Sequence, residues 1–276
     1  MEIFNILSYS FIQRAFIAGS FVAVTCSVLG LFLVLRKMSL IGDGLSHVSF
    51  GAIALGLFFG IYPFYVAIPI VMLASLLILK ISEKAKVYGD AAIGIVSVIG
   101  IASGVILASV SKGFNVDLFS YLFGNILAIS MIEVVLSVLL SVIVLTVVYF
   151  FYWDLFSITY DEEYAKVIGI KPTIINNVLT LLTAVTVVLS VKMVGIMLVS
   201  ALLILPVVTA LQFGNSFNKT LIVGSIVSLF SVLLGICFSF FLDIPTGATI
   251  VMANALFFCL ALLYKKVAYV SKSVLL

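Results

Sequence analysis

Long apolar runs, broken by short clusters of charged and turn-forming residues, make up nearly the whole chain. A hydrocarbon core about 30 Å thick is crossed by roughly 20 apolar residues in helical form. The polar breaks divide the sequence into about nine such runs, at 11–35, 39–58, 61–80, 91–111, 127–152, 173–190, 194–213, 220–242 and 247–264. The pattern predicts an all-α, polytopic membrane protein, with residues 1–276 forming a single transmembrane domain. A hydrophobic fraction of 64% against a charged fraction of 9% excludes an ordinary soluble domain and leaves no polar stretch for a soluble catalytic one.

Charge placement orients the threading. With nine runs, Arg36, Lys37, Lys80, Lys84, Lys86, Lys166, Lys171, Lys219, Lys265, Lys266 and Lys272 fall on one side, and Arg14, Lys112 and Lys192 on the other. Basic loops stay cytoplasmic, so the C-terminus is expected in the cytoplasm and the N-terminus outside. Glu2, Asp117 and Asp243 then lie outside with Glu133 near that face. They form either a modest acidic mouth for a cation or a scatter of solvated loop charges. Met1 to Ser10 lack the basic start of a secretory signal, and no cleaved peptide is expected. Cys26, Cys237 and Cys259 sit far apart in apolar runs and read as buried small hydrophobes.

Packing signals follow. Gly56 to Gly60 and Gly100 to Gly104 are small-xxx-small pairs that let helices approach. Pro206 predicts a kink or break in the seventh run, since its ring removes a backbone donor. The longest polar interval, 153–172, carries its own helix. Thr159 and Glu162 have capping-box spacing, Asp161, Glu162 and Glu163 load the first turn, and Gly169 and Pro172 mark the stop. The spacing predicts a short surface helix over 160–168 with Tyr164, Ala165 and Ile168 on one side. It serves either as a capped connector or as a docking element for a cytoplasmic partner.

One stretch carries candidate chemistry. His47 is the sole histidine of the chain, and Asp43 precedes it by four residues. On a helix these two project from one face, offering an oxygen and an imidazole nitrogen to one point, half of a four-ligand metal site. A carboxylate in hydrocarbon costs about 2.5 to 3.5 kcal/mol, so such a pair marks a pathway or site. The plainer alternative is an Asp and a His bonding each other near a helix end.

Five blocks in order resemble a known family: Phe11 to Phe16, Leu35 to His47, Asp161 to Gly169, Leu198 to Pro206, and Leu242 to Thr249. Over about residues 10–266 the chain is similar to the membrane subunit of zinc and manganese ABC importers. The resemblance implies a homodimeric permease of the vitamin-B12-transporter type. It further implies two ATP-binding cassette ATPase subunits on the cytoplasmic side and an extracytoplasmic metal-binding protein that delivers the ion. It places the family's acid and histidine on Asp43 and His47 and the ATPase-coupling helix on Asp161, Glu162, Glu163, Tyr164, Ala165, Ile168 and Gly169. His47-Val48-Ser49, without a following proline, looks like the zinc branch. No permanently bound cofactor and no nucleic acid are expected; Zn2+ or Mn2+ is cargo.

Other classes compete. A divalent cation gains about 4.6 kcal/mol on entering down ~100 mV, so a channel or secondary transporter is physically allowed. An intramembrane enzyme fits poorly, because Ser46 and His47 project about 100° apart on a helix and make a weak nucleophile and base pair. A membrane scaffold leaves the shared face of Asp43 and His47 without a purpose.

Overall fold

The computed structural model describes residues 9–85, 88–110, 121–124, 126, 129–196, 199–213 and 216–274. Glu2, Lys86, Lys112 and Asp117, used above for orientation, lie outside them. The elements are α1 (Ser10–Leu35), α2 (Ile41–Phe58), α3 (Pro63–Ala85), α4 (Gly89–Val110), α5 (Met131–Phe150), α6 (Tyr152–Tyr160), α7 (Glu162–Val167), α8 (Pro172–Val194), α9 (Val199–Phe213), α10 (Phe217–Leu242) and α11 (Thr246–Val274). No strand occurs among the described residues. An apolar helix suits lipid because it satisfies every backbone N–H and C=O within its own segment. Eight of these helices are long and apolar enough to cross a membrane, so the chain is a multi-pass membrane protein of the expected all-α class.

Side-chain contacts sort the helix ends into two layers. At one end the ring of Phe32 in α1 packs on Phe217 in α10, Phe156 in α6 packs on the same ring, and Lys265 in α11 reaches Gln212 in α9. Arg36, Lys219, Lys265 and Lys266 gather at this basic end. At the other, Tyr9 ahead of α1 meets Phe240 near the end of α10. α6 and α7 both lie at the basic end, where Phe156 meets Phe217 and Glu162 meets Arg36.

The seventh expected run differs. Hydropathy predicts it over 194–213, but α8 ends at Val194, Gly195 turns with φ +90°, and α9 spans Val199–Phe213. Fifteen residues reach about 22 Å, short of the ~30 Å core. The reason is where α9 begins. A Cβ on Gly30 of α1 would sit 2.1 Å from the carbonyl oxygen of Leu203, and a Cβ on Gly42 of α2 would sit 2.5 Å from the Leu203 side chain. The start of α9 is therefore level with the basic third of α1 and the first turn of α2, inside the helix layer rather than at its far edge. Pro206 lies within the continuous helix and does not break it; the interruption comes earlier, at Gly195.

A second glycine seam backs the site helix. A Cβ on Gly100 of α4 would meet the Val48 Cα at 2.7 Å and the His47 carbonyl oxygen at 3.0 Å. Neither neighbour can move without displacing α2, so Gly100→Val should cost about 1–3 kcal/mol through overpacking. The expected result is a lower melting temperature of the detergent-solubilised protein, where Ile99→Val on the exposed face of the same helix leaves it unchanged.

Candidate metal site

Asp43 and His47 occupy the first two turns of α2. Leu40 at the N-cap supplies no side-chain cap, so the first-turn carboxylate of Asp43 is what complements the positive end of the helix. Their neighbours Ile41, Gly42, Gly44, Leu45, Ser46 and Val48 are all buried. The Asp43 and His47 side chains by contrast stay 45% and 24% exposed, with Oδ2 of Asp43 3.5 Å from Nε2 of His47. That separation exceeds the ~2.7–2.9 Å of a charge-assisted hydrogen bond. The two groups are thus partly exposed and at ion-pair distance on one helix face. Ser46 is turned away, its hydroxyl donating to the Asp43 main-chain carbonyl at 2.7 Å.

A third side chain joins them from a distant part of the chain. The Ser200 hydroxyl, in the first turn of α9, donates to Oδ1 of Asp43 at 3.1 Å. The two carboxylate oxygens thus have different surroundings: Oδ1 is held by α9, and Oδ2 lies on the imidazole side. No group of three or more His, Cys, Asp or Glu side chains capable of holding a metal occurs among the described residues. One chain brings two first-row donors, one oxygen and one nitrogen. Cys26, bonded to Ser190 at 3.1 Å, is buried as expected, but Cys237 is half-buried and Cys259 exposed on the outer surface of the bundle.

Glu133 is not a free mouth charge. Ser130 caps α5, its hydroxyl accepting from the Glu133 N–H at 3.3 Å, while Glu133 Oε2 accepts from the Ser130 N–H at 2.8 Å. The other carboxylate oxygen lies 3.4 Å from Nζ of Lys192 in α8, with Glu133 6% and Lys192 16% exposed. The Lys192 ammonium also sits 4.9 Å from the centre of the Tyr121 ring, a favourable placement over the ring face. Both charges are thus consumed within the protein, and Asp243, exposed at the left-handed end of α10, is the acid of the expected mouth that the described residues leave facing out.

The polar interval folds as two helices. Thr159 does not cap the second: α6 continues through Tyr160, and the Thr159 hydroxyl donates to the Leu155 carbonyl within it. Asp161 takes the cap, extended at φ −153° and accepting from the Tyr164 N–H at 3.0 Å, in keeping with the stronger capping preference of Asp over Thr. Gly169, at φ +91°, ends α7, and the Ile170 N–H reaches back to the Ala165 carbonyl at 3.0 Å, a Schellman closure. Glu162 pairs with Arg36 at 3.5 Å and tethers α7 to the end of α1. Burial lowers the Arg36 guanidinium below its ordinary value, and the Glu162 carboxylate pushes back up. Lys166 pairs with both Glu162 and Glu163. Ala165 is fully buried, whereas Tyr160, Tyr164, Val167 and Ile168 are exposed together.

The family model for the ABC 3 transport family matches residues 8–265. The chain belongs to this family. It is 34% identical over 260 residues to the manganese transport system membrane protein MntC of Halalkalibacterium halodurans, covering 94% of this chain and 89% of that one. It is 31% identical over 248 residues to the high-affinity zinc uptake system membrane protein ZnuB of Haemophilus influenzae, covering 90% and 95%. The structure of PsaBC from Streptococcus pneumoniae in complex with Fab matches with a TM-score of 0.85 at 31% identity, covering 94% of this chain and 93% of the other. The chain is therefore a membrane permease of the ABC type, with metal-transport permeases as its relatives.

Within this permease the structure brings Asp43 and His47 together, and it separates the 161–169 group. Ala165 packs inward, Glu162 and Glu163 are paired, and Tyr164 and Ile168 are presented outward with Val167. Val167 and Ser200 escaped the sequence reading. Val167 is exposed beside Ile168 on the outer side of α7. Ser200 lies 157 residues from Asp43, and no local spacing links them.

Proposed function

We propose that two copies of this permease form the pore of an ATP-driven importer that carries a divalent transition metal, zinc, across the bacterial plasma membrane. The observation that carries the reading is the Asp43–His47 pair, an acid and an imidazole partly exposed among the buried residues that begin α2 of an ABC permease. In the dimer the two pairs close around one ion, giving two carboxylate oxygens and two imidazole nitrogens, the donor count of a tetrahedral zinc site. Transport needs binding that can be undone, so the site is assembled in one conformation and separated in another. ATP-binding cassette subunits receive the exposed Tyr160, Tyr164, Val167 and Ile168 edge of α6 and α7, the basic end faces the cytoplasm, and an extracytoplasmic metal-binding protein supplies the ion at the other.

Zinc is supported by the donor set and by His47-Val48-Ser49. Manganese is the second reading, favoured by the similarity to MntC. A strain lacking this chain, grown under chelation, is expected to recover with added zinc and not with manganese. Recovery with manganese alone would move the cargo to the second reading, and normal growth and metal uptake without the chain would remove the importer reading.

A further inference from the structure

We propose that Ser200 is a specificity-determining positioning residue, which restricts each Asp43 to one metal-binding oxygen and so sets the site for zinc over manganese. The inference rests on the two-protomer site proposed above. An ionised carboxylate has two oxygens that bind a cation singly or as a chelating pair. Here the Ser200 hydroxyl donates to Oδ1 at 3.1 Å, occupying one of its lone pairs and holding the carboxylate with Oδ2 on the side of His47 Nε2, 3.5 Å away, rather than turned to chelate. Two protomers then offer four donors, two oxygens and two nitrogens, which match four-coordinate zinc. Releasing Oδ1 on both sides raises the available donors to six, the number an octahedral, oxygen-preferring ion such as manganese takes. Hydrogen bonds to metal-binding side chains select their orientation in this way, and losing one changes metal affinity by about 10- to 100-fold.

The serine is well placed to act as a fixed reference. It stands in the first turn of α9, one turn before Leu203, whose carbonyl and side chain fill the spaces left by Gly30 and Gly42. That packing fixes the register of α9 against the helix that carries Asp43. The hydroxyl is thus held by the α1–α2–α9 contact rather than by a mobile loop. The same link makes α9 the helix whose displacement frees the carboxylate.

The test is competitive uptake of radioactive zinc and manganese by cells expressing the full transporter, with the amount of assembled permease measured in the same membranes. Ser200→Ala, neutral or favourable for helix formation, is expected to lower the zinc-to-manganese uptake ratio about tenfold or more at normal assembly. Ser200→Thr, which keeps the hydroxyl, is expected to retain the wild-type ratio. A Ser200→Ala ratio equal to wild type, including the case where both metals fall together as a structural defect would make them, overturns the inference. Asp43→Ala is run alongside. If it stops uptake while Ser200→Ala leaves the ratio alone, only the role of Ser200 falls; if it leaves uptake intact, the two-protomer site falls and this inference with it.

Discussion

Asp43→Ala and His47→Ala are each expected to reduce metal uptake by at least about a hundredfold, since loss of even a supporting partner of a metal ligand costs 10- to 100-fold. In a two-fold dimer each substitution removes two of four donors at once. The loss should not come from misfolding. Both side chains are partly exposed, their mutual distance of 3.5 Å is no tight hydrogen bond, and the helix is held by its buried face and the Gly100 seam. Asp43 contributes to the helix end only about 0.3–1 kcal/mol. Normal membrane levels and a normal melting temperature with absent uptake are the expected combination. Near-normal uptake in both variants would remove the site.

The second large effect is expected far from that site. Lys192→Ala leaves the Glu133 carboxylate, 6% exposed, without its counter-charge, and breaking one side of a buried pair typically costs about 3–5 kcal/mol. Glu133 cannot turn outward freely, because it also closes the capping box with Ser130 at the start of α5. The double change Glu133→Gln with Lys192→Met removes both charges, and Gln keeps an oxygen to accept from the Ser130 N–H. It should recover most of the loss. Thermal unfolding of the solubilised permease checks this. A melting temperature as low in the double variant as in Lys192→Ala would show that the pair is not what holds α5 to α8.

The contrast between these two sites explains what could be read from the chain alone. Hydropathy carries the long helices plainly, because each must satisfy its backbone by itself in lipid. The pairing of Asp43 with His47 is equally local, a matter of four residues on one helix. Four features were not legible. Leu203 of α9 packs against Gly30 and Gly42, a tertiary fit that hydropathy does not encode. Thr159, Asp161 and the following acids all offer caps, and only the continuation of α6 through Tyr160 decides for Asp161. Ser130 and Glu133 have capping-box spacing in the sequence, but Lys192, the partner of Glu133, lies on another helix and leaves no local mark. Ser200 had no local signal at all.

Two copies of this permease holding one ion between them is an arrangement open to direct observation. It is tested most directly by a structure of the assembled transporter with zinc, using anomalous scattering to locate the metal. A single zinc is expected on the two-fold axis, about 2.0–2.2 Å from an Asp43 oxygen and a His47 nitrogen of each copy. A complex in which the two pairs face lipid on opposite sides, or in which the zinc lies elsewhere in the pore and touches neither residue, would contradict it.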